Sequence, residues 1–142
     1  MGQELDDRLL ELLCNNGRET IASLARLLGV SRATVKEHMA TLERRKVIEG
    51  YTIRIHPQHQ QPEVRAYLMI DINPKKTGAI VRQIEKLTAV QALYSISGSY
   101  DLMAQVSCDT TAQLDQVIDE ISTLDGVEKT LTSVVLGAKF QR

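Results

Sequence analysis

Residues 77–90, TGAIVRQIEKLTAV, and residues 114–127, LDQVIDEISTLDGV, are two copies of one pattern 37 residues apart. Ile80, Val81, Ile84, Leu87 and Val90 recur as Val117, Ile118, Ile121, Leu124 and Val127. That spacing is the apolar stripe of an amphipathic helix, present twice. Each helix is preceded by a strand pattern, residues 64–72 and 102–108, and followed by another, residues 92–97 and 130–136. The order strand, helix, strand, repeated, predicts an α+β domain: a ferredoxin-like βαββαβ sandwich with a four-stranded antiparallel sheet and both helices on one face. In the first strand Ala66, Leu68, Ile70 and Ile72 point one way, while Tyr67 and Met69 point the other. The face away from the helices is therefore partly apolar, and is predicted to pack on another subunit.

Upstream lies His56-Pro57-Gln58-His59-Gln60-Gln61-Pro62, polar, with two prolines and no apolar period. Residues 57–63 read as a linker between an N-terminal domain, 1–56, and the C-terminal domain, 64–142. The N-terminal part opens with Leu5, Leu9, Leu12 and Leu13 at helical spacing, ended by Asn15-Asn16-Gly17. Ile21, Leu24, Ala25 and Leu28 then mark a short helix from about Thr20 that stops at Gly29. Ser31 is a good N-cap for a third helix with Val35, Met39 and Leu42 as its inner stripe. Val47 to Ile55 is rich in β-branched residues around Glu49-Gly50 and predicts a small hairpin. Three helices with tight turns and a hairpin make a winged helix-turn-helix.

Composition narrows the chemistry. At 142 residues, 43% hydrophobic and 25% charged, the chain is an ordinary globular protein with room for one domain or two small ones. With 4% aromatics and no Trp it has little with which to stack unpaired bases or sugars. The net charge of −1 hides a local excess. Residues 26–54 carry Arg26, Arg32, Lys36, Arg44, Arg45, Lys46 and Arg54 against Glu37, Glu43 and Glu49, a net of +4. Cys14 and Cys108 have no metal-type spacing and are expected as buried, reduced thiols. With no leader pattern and no membrane-length apolar run, the expected place is the cytoplasm, without membrane attachment.

With Val35, Met39 and Leu42 inward, the third helix turns Arg32, Ala33, Lys36, Glu37, Ala40 and Arg44 outward, headed by Ser31. Such a face suits a major groove: Arg32, Lys36 and Glu37 reach base edges or phosphates, Ala33 and Ala40 permit close approach, and Arg44 meets the backbone. A solvated helix face is the bland alternative, and the local charge favours DNA. His38, His56 and His59 lack nearby cysteines or a carboxylate cluster, so no metal or acid–base site is assigned to them. No phosphate-binding or hydrolase motif occurs either. Ser97-Gly98-Ser99-Tyr100-Asp101 joins the second and third strands. On its residues alone it reads as a hairpin loop in which Asp101 satisfies local backbone groups.

Residues 5–51, LDDRLLELLCNNGRETIASLARLLGVSRATVKEHMATLERRKVIEGY, together with GSYDLMAQV and GVEKTLTSVVL, resemble the Lrp/AsnC, or feast/famine, transcription regulators over nearly the whole chain. The resemblance implies a homodimer formed through the C-terminal domain, association of dimers into octamers or other higher assemblies, and no bound cofactor beyond a small effector, commonly an amino acid. It places effector contacts at Gly98, Ser99, Tyr100 and Asp101, with Thr130, Thr132 and Ser133 from the last strand. The expected function is thus a double-stranded DNA-binding regulator. Two alternatives stand beside it: an enzyme of the siroheme decarboxylase type, built on a similar two-domain plan with histidines and basic residues around a tetrapyrrole, and an effector-binding partner without DNA binding.

Overall fold

A computed structural model describes residues 2–142, and the chain divides into two compact units that meet in sequence at His59/Gln60. In the first unit α1 (Gly2–Asn15), α2 (Ile21–Leu28) and α3 (Arg32–Arg44) enclose Leu9, Leu13, Leu24, Ala25, Leu28, Val35 and Leu42. The cap expected at Ser31 forms, its Oγ accepting from the Thr34 amide, and Thr20 Oγ1 caps α2 in the same way by accepting from the Ser23 amide, each at 3.1 Å.

The hairpin expected over residues 47–55 does not form. None of residues 49–56 belongs to a strand, and the amides of Val47 and Ile48 both donate to Leu42 O, at 2.9 and 3.2 Å. Glu-Gly is not one of the residue pairs that favour the mirror-image turns of tight hairpins, and two isolated strands are marginal without a surface to cover. Val47, Tyr51, Ile53 and Ile55 accordingly stay exposed. Cys14 also departs from expectation. It is exposed, because it follows Leu13 by one residue and so points about 100° away from the buried stripe.

The second unit is a four-stranded sheet of order β2-β3-β1-β4, with β1 (Val64–Ile72), β2 (Val90–Ser95), β3 (Leu102–Cys108) and β4 (Val127–Val134) all paired antiparallel. Two helices, α4 (Thr77–Glu85) and α5 (Thr111–Ser122), supply Ile80, Ile84, Leu114, Val117 and Ile121 to one core with Ala66, Leu68, Ile70, Ile72, Leu102, Ala104, Val106 and Cys108. Burial in β1 and β3 alternates as the period of two requires.

β2 and β4 start two and three residues earlier than their patterns suggested, and the reason lies at the helix ends. Leu87 and Leu124 donate to the carbonyls three residues back, Ile84 and Ile121, and Val90 and Val127 donate in turn to Leu87 and Leu124. These tight turns carry the three-residue apolar period past the helices and straight into the strands. Gly126 permits the second of them. It has φ +96°, and a Cβ there would lie 2.8 Å from that of Lys76.

On the face away from the helices the register aligns one residue from every strand. Tyr94 pairs Met103, Met103 pairs Met69, and Met69 pairs Leu131. Tyr94 and Leu131 are 48% and 52% exposed, so this row is an apolar belt across the sheet left open to solvent in the single chain.

Candidate nucleic-acid interface and effector loop

α3 owes its two faces to period and capping alone. Arg32, Ala33, Lys36, Glu37, Ala40 and Arg44 are all exposed on one side, opposite buried Val35 and Leu42. Ser31 is exposed as well, but its hydroxyl caps the helix and lies 2.8 Å from Thr34 Oγ1. Arg44 is steadied by donating from Nη2 to Thr41 Oγ1 at 3.2 Å. Among the described residues the ion pairs are His38–Asp6, Arg65–Glu63 and Lys76–Asp125. None of the seven basic residues in 26–54 takes part, so their positive charge is not neutralised within the unit.

Two contacts around this helix were not foreseen. His38 Nδ1 donates to Asp6 Oδ1 at 2.6 Å, tying α3 to α1. Tyr51 donates from its hydroxyl to Glu43 Oε1 at 2.8 Å, which ties the extended segment to the end of α3. The Tyr51 phenol is held above its ordinary range, first by partial burial and then by the Glu43 carboxylate. No group of three or more His, Cys, Asp or Glu among the described residues is placed to hold a metal.

The loop from Ser97 to Tyr100 is clamped to the centre of the sheet. Ile96 N donates to Asp101 O, Asp101 N to Ile70 O, and Ile72 N to Asp101 Oδ2, each at 3.0 Å. Gly98 has φ +126°, a conformation few other residues adopt. The Lys129 ammonium stands 4.9 Å over the Tyr100 ring. Lys129 pairs Asp71 in the β1–β4 register, and the Asp71 carboxyl lies within hydrogen-bonding reach of Asp101. Neither Asp71 nor Lys129 had been singled out from sequence. The remaining expected positions do not gather there. Thr130 and Thr132 pair Ile70 and Leu68, which face the helices, and Thr130 Oγ1 is 3.4 Å from Ser122 Oγ of α5. Ser133 pairs Tyr67 on the opposite face.

The carboxyl pair has a signed consequence. Hydrogen bonding to Asp101 holds Asp71 above the usual carboxylate range, whereas the Ile72 amide, with Asp71, holds Asp101 below it. Asp71 therefore favours the folded state while it keeps its proton, and that contribution is lost as pH rises through its elevated pKa. Asp101 contributes when ionised, and its share is lost as pH falls through its depressed pKa. In Asp71→Asn a non-titrating amide can still donate to Asp101. Thermal unfolding between pH 3 and pH 7 should show the wild type losing stability on the upper side of the acid range relative to Asp71→Asn; parallel profiles would mean that the two carboxyls do not share a proton.

Residues 65–142 match the Lrp/AsnC ligand binding domain and residues 3–49 a winged helix-turn-helix DNA-binding domain. The transcriptional regulator LysM of Sulfurisphaera tokodaii is 32% identical over 138 residues, covering 96% of each chain. E. coli AsnC superposes with a TM-score of 0.78 at 28% identity over 98% of this chain and 95% of its own. A feast or famine regulatory protein from M. tuberculosis, solved with L-methionine, gives 0.79 at 25% over 97% and 94%. These relatives are regulators, which sets aside the decarboxylase-like alternative. No described helix is long and apolar enough to cross a membrane. With a helix-turn-helix unit followed by a ferredoxin-like unit that carries the ligand-binding signature, the chain belongs to the Lrp/AsnC family of transcriptional regulators.

Proposed function

We propose that this regulator binds specific double-stranded DNA sequences through Ser31, Arg32, Ala33, Lys36, Glu37, Ala40 and Arg44, self-associates through its sheet, and senses an amino acid at the loop of Gly98, Ser99, Tyr100 and Asp101. The observation that carries the reading is the outer face of α3, basic, exposed and free of internal ion pairs. Small Ala33 and Ala40 lie between the charges and leave room for groove walls. A DNA-binding regulator works where the chromosome is, so a cytoplasmic place belongs to the same reading. Selection from random duplexes at low salt tests it: a recurrent sequence is the expected result, and a folded protein that retains no duplex would refute it.

Effector binding draws on different groups. An amino acid presents an ammonium and a carboxylate, and this end of the sheet offers the Asp71–Asp101 pair for the first and Lys129 with the Gly98–Ser99 amides for the second. Asp101 also holds the Ile72 amide, so its role includes shaping the loop. Thr130, Thr132 and Ser133 remain proposed contacts, from two faces of β4, and reach a common ligand only where subunits meet. Homodimers assembled into octamers or other higher forms would supply such meeting points. The methionine complex of the M. tuberculosis relative supports an amino acid as the ligand class.

A further inference from the structure

α2 and α3 end by the same hydrogen-bond motif, built on different residues. After α2, Gly29 N donates to Arg26 O at 3.4 Å and Val30 N to Ala25 O at 3.0 Å, with Gly29 at φ +70°. After α3, Lys46 N donates to Glu43 O at 3.0 Å and Val47 N to Leu42 O at 2.9 Å, with Lys46 at φ +59°. Both are Schellman turns, which need a left-handed residue and usually take glycine. Lys46 is the one non-glycine residue with positive φ among the described residues. Its Cβ is crowded by that backbone, and a glycine would close the same turn without strain.

Nothing within the fold accounts for a lysine there. Among the described residues its ammonium has no ion pair and no hydrogen bond, and the side chain is exposed. Glu43 is engaged by Tyr51, and Glu49 makes no ion pair. A cation near a helix C-terminus does complement the macrodipole, but exposed Arg44 and Arg45 already supply two, in unstrained positions. What Lys46 adds is a third consecutive charge, carried past the helix end at the foot of the face that holds Arg32, Lys36 and Arg44. Strain at one exposed, unpartnered, charged residue beside a binding face points to a role in an external contact. We propose that Lys46 is a phosphate contact of the DNA complex, set beyond the end of α3 by its left-handed turn and acting independently of base sequence. This rests on the DNA-binding reading above and adds a residue to it.

The test uses the full chain and a labelled random-sequence duplex over a series of salt concentrations, with thermal melting of each variant. Lys46→Gly removes the strain together with the charge. Its melting temperature is expected to rise by a few degrees, while the slope of log K against log salt falls by about 0.9, roughly an eightfold loss of affinity at 0.1 M salt. Lys46→Asn, whose side chain tolerates the same backbone, should lose the same slope, and Lys46→Arg should keep it. A wild-type slope in Lys46→Gly and Lys46→Asn overturns the proposal while leaving the DNA reading intact. If the wild type binds no duplex at low salt, that reading falls and this proposal with it.

Discussion

Replacing Arg32 and Lys36 together with Ala is expected to lower affinity for the selected duplex by about a hundredfold or more, since each base-edge or phosphate contact is worth about 1–3 kcal/mol. Both side chains are exposed and neither joins an ion pair among the described residues, so their removal leaves the three-helix core as it was. Discrimination between the selected duplex and a scrambled one should shrink along with affinity. Arg44→Ala should behave differently, weakening binding to both duplexes alike and reducing the salt slope by about 0.9. Anisotropy titrations at several salt concentrations separate the two, with melting curves to verify folding. An Arg32/Lys36 double variant that binds like the wild type would move the interface off α3.

With self-association through the sheet as proposed above, Met69→Glu is expected to leave folded monomers at micromolar concentration. Met69 sits at the middle of the Tyr94–Met103–Met69–Leu131 row and is half-buried within its own subunit, so a carboxylate there stays hydrated while the chain is alone. Association through a two-fold interface would bury two such charges against apolar partners, at a cost of several kcal/mol per ion. Sedimentation velocity reads the outcome: a monomeric wild type would refute the self-association itself, and a variant that sediments like an assembled wild type would place the contact on another surface.

How far each feature was legible in the sequence depends on the range over which it is determined. Helices α2 and α3, with a start near Thr20, a stop at Gly29 and a cap at Ser31, follow from residues within one or two turns, and they fall where the pattern puts them. The sandwich followed from the 37-residue repeat, because apolar spacing records burial directly. Two consecutive tight turns after each helix then displaced the two strand starts, since a period near three looks alike in a helix and in the turns that follow it. Charged pairs were invisible. Asp6 and His38 are 32 residues apart, Asp71 and Asp101 meet through the β1–β3 register, and no local pattern encodes either meeting. Residues 47–55 show the converse failure, in which β-branched content was mistaken for strand pairing although no partner strand exists within the unit.

Strand order also dictates when the two units can fold. β1, made first, lies between β3 and β4, and pairs Ala66 with Val134 across most of the second unit's length. Closure of that loop must precede any reward from the contact, which makes the sheet the slow step, whereas the helices of the first unit find their partners within a few dozen residues. During synthesis the helix-turn-helix unit can therefore be complete while β1 still waits with one edge bare and apolar residues on both sides. A chain that stalls before Val127 would present a finished DNA-binding unit attached to a sticky, unfinished sheet, and aggregation rather than loss of the helices would be its first symptom.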